Sequence, residues 1–301
     1  MEYGPSGRAA SGAWNQPSGW RCFDLDAGRV RISYLPDGQI QLWPLGWLKD
    51  SDAAYWSQRP EATDDGGWLV ASCGGLLVEV GSRALLIDAG FGPLARPPEG
   101  GDSPVGAIDC GRLVGSFATA GVDPGAVEMV AFTHLHPDHV GWAAPARDGF
   151  SSPLADAVWV AAAEEIDEHL RRHGELPLDG GAERVRRVAD GEEIFPGVSA
   201  VALPGHTAGH LGYAITAGGV RIVVIGDAMH SPAQVEHPEW RAASDWRADL
   251  AVDTRRRMVE QLRADGSLCY AVHFGDAVFG RVARRGAALA WMAEDPGRGP
   301  A

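Results

Sequence analysis

The sequence predicts an α/β protein with two strand-rich halves and helices between and after them. Three observations carry this. Apolar residues alternate with polar ones, or form short buried runs, over residues 30–42 and 76–87 and again over 198–225. Helical apolar spacing occupies 108–120, 162–173 and 246–265. At 301 residues, 45% hydrophobic and 22% charged, the chain has the balance of a globular domain with a sizeable core.

Each element has its own warrant. Residues 1–20 are rich in Gly and Ser and are expected to form a flexible arm, with one domain over 21–295 and a short flexible tail at 296–301. Val30, Ile32 and Tyr34, then Ile40 and Leu42, flank Pro36-Asp37-Gly38, which predicts a β-hairpin. The runs 76–80 and 84–87, separated by Gly81-Ser82, predict a buried hairpin. Cys110, Leu113, Val114, Phe117 and Ala118 share a helical face that Gly121 and Pro124 end. Strands are expected at 127–133 and 157–160. A helix at 162–173 carries Asp167→Arg171 and Glu168→Arg172 as i,i+4 pairs. Strands at 198–203, 211–216 and 220–225, a helix at 246–265 stopped by Gly266, and a last strand at 268–272 complete the order. No repeat and no low-complexity linker divides the chain.

Composition excludes several functions. Twenty-six Lys and Arg against 40 Asp and Glu leave a net charge of −14, which disfavours nucleic acid and anionic membrane as partners. No apolar run reaches the roughly 18–20 residues of a membrane span. The first residues lack a basic stretch followed by an apolar one, so a cytoplasmic location is expected. Cys22, Cys73, Cys110 and Cys269 form no CxxC pair, which argues against a disulfide framework or a thiolate metal site.

The chemistry concentrates at His134, His136, Asp138 and His139, directly after the apolar strand expected at 127–133. Imidazoles with an adjacent carboxylate at a strand end suit a divalent transition metal in a catalytic rather than a sealed site. Three later apolar strands also end in such residues: His206 and His210, then Asp227, then His273. Residues that follow buried strands meet at one edge of a sheet, so four strand ends can present seven ligands to one spot.

This set resembles the metallo-β-lactamase fold superfamily of metallohydrolases. Its HxHxDH hallmark falls on His134, His136, Asp138 and His139, its GHTxGH element on residues 205–210, and its later ligands on Asp227 and His273. The resemblance covers residues 75–275, about two-thirds of the chain. It implies an αββα four-layer sandwich, with two mixed β-sheets flanked by helices. It also implies two divalent metal ions, zinc by preference with iron, manganese or cobalt as alternatives. His134, His136 and His206 would hold one ion; Asp138, His139 and His273 the other; Asp227 would bridge them. Asp88 matches the family's early Asp-x-Gly position, where it either accepts a proton from a ligating imidazole or caps a turn. His210 is implied to support the ligands or to be structural. His230, three residues after Asp227, stands where similar lactonases carry a substrate-contacting tyrosine; it either donates to the substrate's developing oxyanion or is a surface histidine.

The implied activity is hydrolysis of a small-molecule lactone or ester by a bridging hydroxide that Asp138 orients. The stretch after Asp227 is similar to the branch of quorum-quenching lactonases and methyl-parathion-type hydrolases. Thioester and organophosphate hydrolysis are the alternatives. A β-lactamase is disfavoured by Asp227, and a non-catalytic metal-binding protein by the complete ligand set. His169 and His173, an i,i+4 pair without an intervening HExxH glutamate, are expected on a solvated face. Trp43, Trp47, Trp56 and Trp68 can line a pocket, fill the core or form a homodimer contact.

Overall fold

Strand alternation sorts side chains between two faces, and this chain buries both. The computed structural model describes residues 14–99, 102–144 and 151–296. Among them, nine strands form a first sheet: β1 (Arg21–Leu25), β2 (Val30–Leu42), β3 (Leu69–Val80), β4 (Arg83–Ile87), β5 (Ala95–Arg96), β6 (Val105–Asp109), β7 (Met129–Ala131), β8 (Val158–Ala162) and β9 (Val185–Val188). Their order is β5-β6-β2-β3-β4-β7-β8-β9, with β1 also against β2. The second sheet runs in sequence order through β10 (Glu193–Phe195), β11 (Val198–Ala202), β12 (Leu211–Ala217), β13 (Val220–Val224), β14 (Leu268–Tyr270), β15 (Phe279–Arg285) and β16 (Ala288–Ala293). Both sheets are mixed, with parallel pairs at β4–β7–β8–β9 and β13–β14. The helices are α1 (Pro44–Trp47), α2 (Ala53–Ser57), α3 (Leu113–Ala120), α4 (Pro137–Val140), α5 (Ala163–His173), α6 (Ala233–Glu236) and α7 (Ala248–Asp265).

Three apolar layers follow from the alternation. Ile32, Leu76, Val78 and Leu85 of the first sheet meet Tyr213, Ile215, Ile222 and Val224 of the second. The residues between them turn outward: Leu77 and Leu86 pack with Phe117 of α3 and Ile166 of α5. On the other side, Val223 and Cys269 pack with Met258, Val259 and Leu262 of α7. The result is helix, sheet, sheet, helix, the layer order of the metallo-β-lactamase sandwich.

Several elements differ from expectation for identifiable reasons. The hairpin expected about Pro36-Asp37-Gly38 is one continuous strand, β2, with a bulge between Pro36 and Gly38 where it pairs with β3. Asp37 is fully buried there rather than exposed in a turn. Its carboxylate accepts from the backbone N–H groups of Phe91, Gly92, Gly111 and Leu113 and from Trp142 Nε1. The helix expected at 108–120 begins only at Leu113, because residues 105–109 pair with β2 as a strand and Asp37 receives the first helical N–H. Val114, expected on the inner face, is exposed. On α5, Glu168 holds both Arg171 and Arg172, while Asp167 reaches Arg187 of β9.

The strand ending near 272 is not the last. The β15–β16 hairpin extends the sheet, its arginines having hidden the alternation that buries Phe279, Val282 and Trp291. Of the expected arm, residues 1–13 and the tail residues 297–301 lie outside the described residues. From Trp14 on, the chain is laid against the domain: Ser18 N donates to Ser72 Oγ at 2.8 Å, and Trp14 packs on two of the apolar clusters. Cys73 and Cys110 are far apart in sequence but interact, and the neighbouring Cys110 thiol together with burial raises the Cys73 thiol well above its usual range. No described helix is long and apolar enough to cross a membrane.

Candidate metal centre

The chemistry-bearing residues sit where strands of both sheets end. The 134–139 segment follows β7, His206 follows β11, Asp227 follows β13 and His273 follows β14. Pro137 opens α4 with its ring at the first helical turn, and the four-residue helix presents Asp138 and His139. Two groups of ligand atoms result, each within 4.8 Å of one another: His134, His136, His206 and Asp227; and Asp138, His139, Asp227 and His273. Asp227 belongs to both. The structure thus brings together all seven residues that the sequence proposed as ligands.

The interior of this cluster suits metal ions better than protein–protein hydrogen bonds. His134 Nε2, His139 Nε2 and Asp227 Oδ1 are buried with no hydrogen-bond partner. His206 Nε2 and His136 Nδ1 face each other at 3.0 Å, and His273 Nε2 stands 2.9 Å from Asp227 Oδ1. Buried polar atoms without partners are costly, so a cluster of them converging on one volume fits a group that accepts lone pairs. Neutral imidazole and ionised carboxylate are the donors a divalent cation takes.

The proton affinities divide the cluster. Burial and neighbouring imidazoles hold His134 well below its usual value, and burial and His206 push His136 down to about 3. Burial opposes charge at His139 and His273, but the neighbouring carboxylates, Asp227 foremost with Asp138 beside both and Asp88 beside His139, together outweigh it and raise both. Burial likewise works against the Asp227 carboxylate, yet His273 and His139 hold it well below the ordinary range.

Outward-facing atoms are tied down. Asp88 directly follows β4 at a positive φ of 59°, an uncommon conformation for a non-glycine residue. It accepts from Thr133 N at 2.8 Å, from Thr133 Oγ1 at 2.9 Å and from His139 Nδ1 at 2.8 Å. His134 Nδ1 lies 3.0 Å from the same Thr133 hydroxyl. With that hydroxyl donating to Asp88, His134 Nδ1–H donates to it, and the Nε2 atoms of His134 and His139 are left bare toward the cluster. His273 Nδ1 donates to Ser72 O at 2.9 Å. Of the two readings of Asp88, the geometry gives contact with an imidazole of the cluster, that of His139.

His210 accepts the backbone N–H of Asp227 at Nε2, 2.9 Å away, and so fixes the loop that carries the shared carboxylate. That loop starts at Gly226, with φ of 50°, where a Cβ would stand 2.7 Å from His210 Nε2. His230 is not a surface residue. It is 1% exposed, its Nε2 is 3.1 Å from Asp227 Oδ2, and its ring stacks on His273 and meets Trp47 edge to face.

Two supporting residues carried no local sequence signal. Asp245 Oδ1 is 3.3 Å from His206 Nδ1, and Asp245 Oδ2 takes the fully buried guanidinium of Arg255 at 3.4 Å. Arg255 also donates to the carbonyls of Ala228, Pro238 and Trp240, pinning the long 231–245 insert.

The tryptophan-rich segment divides among roles. Trp56 is buried against Tyr55 and Trp240, Trp43 is exposed against Trp68, and Trp47 walls a cavity of about 220 Å³ above the cluster. Ile40, Leu42, Phe91 and Ile108 line the same cavity, whose base is His136, Asp138, Asp227 and His273.

Residues 75–265 match the metallo-beta-lactamase superfamily, and the chain belongs to that family. Among solved structures it is similar to the dizinc quorum-quenching lactonase AidC in complex with a homoserine product, at 19% identity and a TM-score of 0.78 over 93% of this chain and 99% of that one. It is also similar to the hydrolase AbOPH, at 22% identity and a TM-score of 0.71 over 93% and 99% of the two chains. A probable metal-dependent hydrolase from Staphylococcus aureus aligns at 18% identity and a TM-score of 0.74 over 91% and 99%. No curated protein matches the chain in sequence.

Proposed function

We propose that this chain is a two-metal hydrolase of carboxylic esters and lactones, with zinc the preferred ion. The observation that carries the reading is the convergence of seven His and Asp side chains, with bare ligand atoms, at the base of an apolar cavity. The lactonase AidC, whose solved form is described as dizinc, supports the choice of metal and substrate. When bound, divalent ions in such a site make water acidic enough to attack at neutral pH and polarise a carbonyl.

The chain's own residues supply the rest. The apolar wall of Ile40, Leu42, Phe91 and Ile108 binds the hydrocarbon part of the substrate and excludes water from the reacting carbonyl. Asp138, at the cavity base, accepts a proton from the attacking water and orients it. His230, held against Asp227 and Trp47, donates to the carbonyl oxygen as charge develops there. Asp88 and Ser72 O fix the tautomers of His139 and His273.

Initial rates on lactones, esters, thioesters and phosphotriesters, before and after chelation and metal restoration, test this. Ester or lactone turnover that is lost on chelation and regained with metal is expected. A metal-loaded chain inert toward all of them would leave the non-catalytic reading; turnover confined to thioesters or phosphotriesters would reassign the substrate.

A further inference from the structure

One of the two ligand groups, Asp138, His139, Asp227 and His273, is assembled from both sheets. Asp138 and His139 follow β7 of the first sheet, whereas His273 follows β14 of the second. His273 lies in the loop that joins β14 to β15. The loop has turns of its own: Phe274 N donates to Ala271 O at 3.2 Å, and Ala277 N to Phe274 O at 2.9 Å. Neither bond reaches the first sheet. Holding His273 over Asp138 and His139 therefore needs contacts between the sheets.

Those contacts come from Ser72 and from residues 14–21. Ser72 of β3 is fully buried and holds the loop twice. Its carbonyl accepts His273 Nδ1–H at 2.9 Å, and its hydroxyl donates to Gly275 O at 3.0 Å. The same hydroxyl oxygen accepts the backbone N–H of Ser18 at 2.8 Å. A hydroxyl has one proton, and the Ser18 N–H on its lone pair leaves that proton aimed at Gly275. Arg21 of β1 then reaches Asp276 at 2.5 Å, in a pair whose side chains are 9% and 7% exposed. Trp14 closes the set. Gly275 has a φ of 54°, and a Cβ there would overlap the Trp14 carbonyl, so glycine lets the two backbones touch. The Trp14 side chain packs both on the apolar cluster that holds Phe274 and on the one that holds Ile40 and Ile108.

We infer that residues 14–21, expected from the sequence to belong largely to a flexible arm, are a strap that positions His273 in the metal centre. The strap touches no ligand itself. It acts through Ser72, Gly275 and Asp276, so its effect falls on the ion held by Asp138, His139 and His273. His134 and His206 of the other group are oriented elsewhere, by Thr133 and Asp245. The inference rests on the two-metal reading and adds what holds one of its two sites together.

The test titrates zinc against a competing chelator in the full chain and in its Ser72→Ala and Arg21→Met variants, with metal-free melting measured alongside. One of the two zinc equivalents is expected to bind about 10–100-fold more weakly in each variant, the range for partners that orient a metal ligand. The other equivalent keeps its affinity. A purely structural role would lower the melting temperature without separating the two affinities. Equal weakening of both equivalents, or no change in either, overturns the inference. Arg21→Met leaves Asp276 buried without that partner; if it does not fold, Ser72→Ala decides alone. If the parent itself takes fewer than two equivalents, the two-metal reading fails instead. Exchange of the His273 Nδ1 proton, followed by NMR in the metal-free chain, then decides the strap on its own. Exchange about tenfold faster in Ser72→Ala supports it, and unchanged exchange removes it.

Discussion

Asp37, at the bulge of β2, and Asp227, after β13, are both buried carboxylates, yet their surroundings are opposite. Five N–H donors from three segments converge on Asp37. Asp227 faces five imidazoles within 3.7 Å, and its Oδ1 has no hydrogen-bond partner. A buried charge surrounded by satisfied donors is a structural clamp, whereas one amid bare lone pairs marks a place where a cation belongs. The difference separates what holds the molecule together from what it works with.

Each prediction pushes on that contrast. Asp37→Ala strands the five donors and is expected to lower stability by about 3–5 kcal/mol, the range for breaking a buried charged network. Thermal unfolding should shift down by about 10 °C at roughly 2–4 °C per kcal/mol, with metal content per folded chain unchanged. A variant that melts normally would show that the clamp is dispensable. Asp227→Ala is the converse. It should bind one metal equivalent fewer and lose roughly 10²–10³-fold in kcat or more, while the metal-free protein melts within a few degrees of the parent. Normal turnover in that variant contradicts the shared-carboxylate centre. Asp88→Ala, which frees His139 Nδ1, is expected to weaken metal affinity by about 10–100-fold, read by competition with a chelator. His230→Ala should lower kcat by about tenfold or more with metal content intact; an unchanged kcat would make it a packing residue. His169→Ala should leave the bound metal unchanged, and loss of an equivalent would extend the centre onto α5.

The sequence made the metal centre legible because its residues lie in short spans after strands, where spacing alone places them. His134 to His139, Asp227 and His273 needed no tertiary information beyond the ends of β7, β13 and β14. Asp37, Asp245 and Arg255 were invisible for the opposite reason: each acts on segments distant in sequence. Pro36-Asp37-Gly38 has the composition of a turn, and only the five donors arriving from elsewhere make it a strand bulge. The boundary of α3 was misplaced by the same cause, since its first N–H bonds to Asp37 rather than to a local cap. The β15–β16 hairpin went unread because Arg281, Arg284 and Arg285 mask a buried face of Phe279, Val282 and Trp291. His169 was judged from its own helix alone, but residues after His206 line a small cavity with it and leave it half-buried.

The most direct test of the account is the metal content of the chain purified without added metal or chelator, measured by elemental analysis. About two equivalents of a divalent transition metal per chain are expected, falling to about one in Asp227→Ala. One equivalent or none in the parent, not raised by reconstitution, would contradict the two-metal centre.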